Sequence, residues 1–142
     1  MILAVDPGGT TGWAVRPDEG DVYAGQDDQI HFFACVKALP RPSVVVVERY
    51  TITPHTAKLS QQTTALEVIG FLRYWAWEHD ADFVMQTPAD AKRFAQVGTD
   101  KHARLDAAGW TQRPLAANDH ANDALRHLLL YCVKNKVMEV PR

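Results

Sequence analysis

Three acidic positions lie far apart in this chain, each at a point where an apolar segment ends or a helix begins: Asp6, Glu48 and the Asp119–Asp123 segment, which also carries His120. Gathered on one spot, such carboxylates are costly, since two like charges about 4 Å apart repel by about 4 kcal/mol at an effective dielectric near 20. A divalent cation removes that cost, and hard oxygen donors select Mg²⁺ or Mn²⁺ over Zn²⁺. Two ions roughly 3.5–4 Å apart can clamp a scissile phosphate, so the chemistry to expect is phosphodiester hydrolysis. His120 suits a ligand or a proton carrier beside the carboxylates, and tilts the site toward tolerating Mn²⁺.

The segments around these residues decide whether they can meet. Ile2-Leu3-Ala4-Val5 is an apolar run that reaches Asp6 and turns at Pro7-Gly8-Gly9; Trp13-Ala14-Val15 resumes it, which predicts a hairpin. A short third strand is expected at 21–25, then a helix capped by Asp27 or Asp28 and running to Leu39, with Ile30, Phe33 and Ala34 at helical spacing. Ser43 to Glu48, with four consecutive valines, fits a strand buried on both faces. A long helix is expected from about Ala57 to His79 with Leu59, Leu66, Ile69, Leu72 and Trp75 as its apolar stripe. A fifth strand over 82–86, a helix from Pro88 to Gln96 capped by Thr87, a helix from Asp100 to Ala108 and a terminal helix from Asp119 to about Asn135 complete the reading. The order implies one α/β domain over 1–142: a mixed five-stranded sheet, antiparallel through its first three strands and then parallel, flanked by helices. If the first and fourth strands are neighbours, Asp6 and Glu48 leave the same sheet edge, and positions 119, 120 and 123 share a helical face.

Each acid alone has an ordinary explanation: Asp6 as a turn former, Glu48 as a solvated strand end, Asp119 as a helix cap. The joint placement is the stronger signal.

Composition bounds the function. With 46% hydrophobic and 23% charged residues the chain reads as a globular protein, and no apolar run reaches the roughly 20 residues of a membrane span. No membrane association and a cytoplasmic location are expected. Cys35 and Cys132 read as buried thiols in a reducing compartment. The net charge of −2 disfavours a nucleic-acid partner. Against it stands a locally basic stretch with Lys92, Arg93, Lys101, Arg104 and Arg113, whose side chains could contact phosphates.

The segment Asp6-Pro7-Gly8 with Thr11-Gly12-Trp13-Ala14 behind it resembles the RuvC-like Holliday junction resolvases of the RNase H-like superfamily. The likeness continues through Val47-Glu48, Leu59-Ser60-Gln61-Gln62, Gly98-Thr99-Asp100-Lys101 and His120-Ala121-Asn122-Asp123-Ala124-Leu125. It implies an RNase H-like fold, a homodimer formed through the long helix, two Mg²⁺ per site with Mn²⁺ as substitute, and symmetric nicking of four-way DNA junctions. Asp6, Glu48, His120 and Asp123 would then bind metal, the third ligand role falling to either His120 or the Asp119 that precedes it. Lys101 would contact phosphate, with Lys92 or Arg93 a second contact. The family's base-stacking aromatic after the strand-four glutamate is replaced here by Thr51, with Tyr50 one position early. The short chain suits a phage-type member acting in the host cytoplasm.

Three rival readings fit the same residues. The Asp6-to-Gly12 segment also looks like the phosphate loop of a sugar or acetate kinase-like ATPase, although those enzymes close two lobes on nucleotide. A flap-cutting or exonucleolytic enzyme would share the metal site, and a silent DNA-binding module would share the fold.

Overall fold

A computed structural model describes residues 1–58, 62–94, 96, 98–108 and 119–142. The sheet is built from β1 (Ile2–Asp6), β2 (Thr10–Arg16), β3 (Tyr23–Asp28), β4 (Val44–Glu48) and β5 (Asp82–Gln86), in the order β3-β2-β1-β4-β5. The first three strands pair antiparallel, and β4 and β5 add in parallel beside β1, which is the mixed RNase H-like sheet expected. The helices are α1 (Gln29–Ala38), α2 (Gln62–Glu78), α3 (Pro88–Phe94), α4 (Asp100–Ala107) and α5 (Asp119–Lys134).

Alternation along each strand divides the core in two. Met1, Leu3, Val5, Val45 and Val47 face one way, against Phe32 and Val36 of α1 and Val68, Ile69, Leu72 and Trp75 of α2. Ile2, Ala4, Val44 and Val46 face the other, against Phe94 of α3, Leu105 of α4 and Leu125, Leu128 and Leu129 of α5. The valine strand is buried on both faces for this reason.

Several local expectations need correction. The third strand occupies 23–28 rather than 21–25, because the connection after β2 is longer and an edge strand needs only one backbone ladder, which Tyr-Ala-Gly-Gln-Asp-Asp can supply. Of the two expected caps it is Asp28 that caps α1, its carboxylate accepting from the His31 N–H at 3.0 Å. That start sets the phase of α1 so that Phe32 and Val36 are buried, while Ile30 is 70% exposed. The long helix is described over Gln62–Glu78, and Ala57, its expected start, is not α-helical. A single 3-10 turn at Thr56–Lys58 precedes it, and the Thr53 hydroxyl accepts the Thr56 N–H that a helix would otherwise engage. Leu66 lies outside the core stripe, Leu59 lies outside the described residues, and α3 stops at Phe94. Thr99 caps α4 by accepting from the His102 N–H, just after Gly98, whose φ of +88° suits glycine. Cys132 is buried, Cys35 is half-buried, and both are free; burial pushes the Cys132 thiol up to about 11. Among the described residues no helix is long and apolar enough to cross a membrane.

Candidate active site

Strand register places one row of side chains across the sheet. Gly12 pairs with Asp6, Val5 with Val47 so that Asp6 and Glu48 come next at one edge, and Glu48 pairs with Gln86. By alternation, Asp6 follows Ile2 and Ala4, Glu48 follows Val44 and Val46, and Gln86 follows Val84, all on the α5 face. The smallest member of the row lets α5 descend: a Cβ on Gly12 would overlap the backbone carbonyl of His120. The N-terminal turns of α5 therefore lie directly over the row.

Side chains of α5 then meet it. His120 Nδ1 lies 2.9 Å from Asp6 Oδ2, and the His120 side chain remains about half exposed. Asp123, one turn on, accepts from Arg126 at 2.7 Å. His127, one further turn along and fully buried, lies with Nε2 2.7 Å from Glu48 Oε2 and Nδ1 2.8 Å from Gln86 Oε1. Asp6 is itself buried, and its carboxyl is raised from the ordinary 3.8 to about 6. Loss of hydration is the main cause; the hydrogen bond to His120 opposes it, and the negative charges of Glu48 and Asp123 add to it.

Asp6, Glu48, His120 and Asp123 thus come from β1, β4 and α5 to one sheet edge. Asp119 opens α5, but its side chain lies outside the described residues. Among the described residues no group of three or more His, Cys, Asp or Glu side chains stands ready-made to hold an ion. The reason is local: each carboxylate is turned toward its own partner, His120, His127 or Arg126. The donor chemistry nevertheless fits a hard divalent cation, since Asp6 is buried with the charges of Glu48 and Asp123 acting on it and His120 offsets them only in part.

The remaining candidates are dispersed. Lys92 and Arg93 are exposed on α3. Lys101 on α4 holds its ammonium 4.9 Å from the centre of the Phe94 ring. Arg104 is exposed, its Nε donating to the Asp100 carbonyl at 3.3 Å. Tyr50 is half-buried against the core on the α1–α2 side, which is packing rather than a free stacking platform. Gln61 and Arg113 lie outside the described residues, as does the Gln62 side chain.

Sequence reasoning missed His127, Gln86 and Arg126. A signal for His127 was present: it stands four residues after Asp123 and seven after His120, on the same helical face, amid leucines. Gln86 carried none, because its place beside Glu48 is a matter of strand register.

No family model and no curated protein matches this chain. Solved structures do. Thermus thermophilus RuvC in complex with a Holliday junction substrate superposes with a TM-score of 0.66 at 16% identity, over 96% of this chain and 94% of that one. A second Thermus thermophilus RuvC structure gives 0.63 at 16% identity, over 99% of both chains. The fowlpox virus Holliday junction resolvase gives 0.58 at 12% identity, over 94% of this chain and 98% of that one. The protein shares the fold of these resolvases across its length, the same group that its Asp6-Pro7-Gly8 turn and His120-to-Leu125 segment resemble.

Proposed function

We propose that the protein is a divalent-metal-dependent, structure-specific DNA endonuclease that resolves four-way junctions by phosphodiester hydrolysis. The observation that carries this reading is the convergence of Asp6, Glu48 and Asp123 on one edge of the sheet, with Asp6 buried there. The overall likeness to resolvases, one of them in complex with a Holliday junction, supports the choice of substrate.

Asp6, Glu48, Asp123 and His120, with Asp119 beside it, would hold two Mg²⁺ ions, Mn²⁺ substituting. When bound, such ions activate a water and stabilise the leaving oxygen of a phosphodiester. Asp6 supplies a carboxylate fixed by a rigid strand and shielded from water, so its orientation is set before substrate arrives. His120, tied to Asp6 through Nδ1, keeps Nε2 available as a ligand or proton carrier.

The same face of the sheet carries the basic side chains. Phe94 and Leu105 anchor α3 and α4 in the α5-side core, so Lys92, Arg93, Lys101 and Arg104 belong to helices on the α5 side of the sheet. They are the proposed phosphate contacts, each adding salt-sensitive affinity; Tyr50, packed on the α1–α2 side, is not among them. On the opposite face α2 exposes Leu66, Tyr74 and Trp77 along one side, with open space at Gly70 between them. We assign this stripe to a homodimer interface, which leaves both DNA-binding faces free.

A phosphate-loop reading of the Asp6–Gly12 turn is disfavoured by its use. Thr11 is buried with its hydroxyl donating to the Gly8 carbonyl, and Gly12 is covered by α5.

The test is cleavage of a labelled immobile four-way junction beside a 5′ flap, a fork and linear duplex, with Mg²⁺, Mn²⁺ or EDTA. Metal-dependent paired nicks in the junction are expected. Preferential cutting of flaps or ends would retain the metal site and overturn the substrate; no cleavage of any substrate would overturn the enzyme.

A further inference from the structure

A histidine with no exposed surface, placed among Leu125, Leu128 and Leu129, is a costly choice for a helix core unless both ring nitrogens are satisfied. Both are. Nε2 meets Glu48 Oε2 at 2.7 Å, and Nδ1 meets the Gln86 side chain at 2.8 Å, with Gln86 itself buried. Gln86 can close the second contact in either amide orientation: its carbonyl accepts from Nδ1–H, or its amide donates to a bare Nδ1. With the amide donating to a bare Nδ1, the neutral ring donates from Nε2 to Glu48; with the carbonyl accepting from Nδ1–H, Nε2 donates to Glu48 when the ring carries both protons. The contact engages only Oε2, and among the described residues Oε1 has no protein partner.

We propose that His127, backed by Gln86, is a positioning residue that holds the Glu48 carboxylate by one oxygen and presents the other to a divalent cation. The proposal rests on the reading of Glu48 as a metal ligand. Glu48 is the last residue of β4, where the chain leaves the sheet for an irregular connection, so its backbone alone does not fix its side chain. His127 ties it to the most buried part of α5, and Gln86 ties His127 to the neighbouring strand. The three residues form one line from β5 through α5 to β4. Metal ligands commonly depend on such hydrogen-bonded supports, whose loss costs about 10–100-fold in metal affinity.

The test is Mn²⁺ binding by the full chain, measured by calorimetric or spin-resonance titration without DNA. His127→Leu fills the space and removes the donor; affinity should fall about 10–100-fold. His127→Gln places an amide N–H near the former Nε2 and should recover most of the loss, which a purely packing role for the ring does not predict. Wild-type affinity in His127→Leu, or equal weakness in both variants, overturns the proposal. If His127→Leu fails to show a thermal unfolding transition, His127→Asn takes its place: it retains a polar group beside Gln86 but does not reach Glu48, and the same two outcomes decide. Glu48→Gln separates the two ideas. If it binds Mn²⁺ as wild type does, the ligand assignment of Glu48 falls and the positioning role with it; if Glu48→Gln is weak and His127→Leu is not, only the positioning role falls.

Discussion

Gly12 of β2 and His120 of α5 approach so closely that any Cβ at position 12 would overlap the His120 carbonyl. Backbone is the obstacle, so no rotamer change relieves it. This contact sets the height of α5 over the sheet, and thereby the reach of His120 to Asp6 and of His127 to Glu48.

Gly12→Ala is therefore expected to destabilise the fold by about 1–3 kcal/mol, as overpacking does, and to abolish cleavage through displacement of α5. Urea denaturation and junction cleavage check it; a variant with wild-type values for both would show that α5 is not seated by this contact.

Asp6→Asn should trade activity for stability. The folded-state carboxyl titrates near 6 against an ordinary 3.8, so the native state holds the proton more tightly than the unfolded chain. Stability consequently falls as pH rises from about 4 through 6, and the full penalty is present above 6. The gap corresponds to roughly 3 kcal/mol at most. In EDTA the Asn variant should be about 1–3 kcal/mol more stable than wild type at pH 7.5, with the difference vanishing near pH 4. Equal stability at pH 7.5 would mean that Asp6 carries no such penalty.

Metal should reverse that penalty in the wild type. At a hundredfold excess over Kd, binding to the native state alone adds about 2.7 kcal/mol, read as a rise of several degrees in Tm with Mg²⁺ or Mn²⁺. No rise is expected in Asp6→Asn. A rise of equal size in both proteins would place the ion elsewhere.

Glu48→Gln and Asp123→Asn should each lose cleavage while keeping the fold and DNA binding. Asp119→Asn should lose less than Asp123→Asn, since position 119 is the first residue of α5 and position 123 lies a turn deeper, over the sheet edge. The reverse ranking in a side-by-side cleavage assay would show that α5 presents a different register to the site.

Trp77→Asp, at a position 75% exposed on α2 and paired with Tyr74 at 5.9 Å between ring centres, should convert a dimer to a monomer in light scattering. An unchanged mass would remove this stripe from the interface.

Much of this architecture was legible from residue order alone. The apolar run ending at Asp6 and the valine run ending at Glu48 announced two buried strands, because strands covered on both faces must be apolar throughout. Asp123 and His120 were legible as one helical face. Period and composition carry such information because they are local. Edges and helix phases were less legible. The polar third strand offered no alternation to read, and Phe32 rather than Ile30 faces the core because the preceding strand, not the helix's own pattern, sets where α1 begins. Only the tertiary structure decided that Gly12, Asp6, Glu48 and Gln86 form a single row, that α5 rests on its glycine, and that His127 reaches down to its glutamate. Those are matters of register between segments distant in sequence. Pairing across the sheet sets them, and no single segment contains that information.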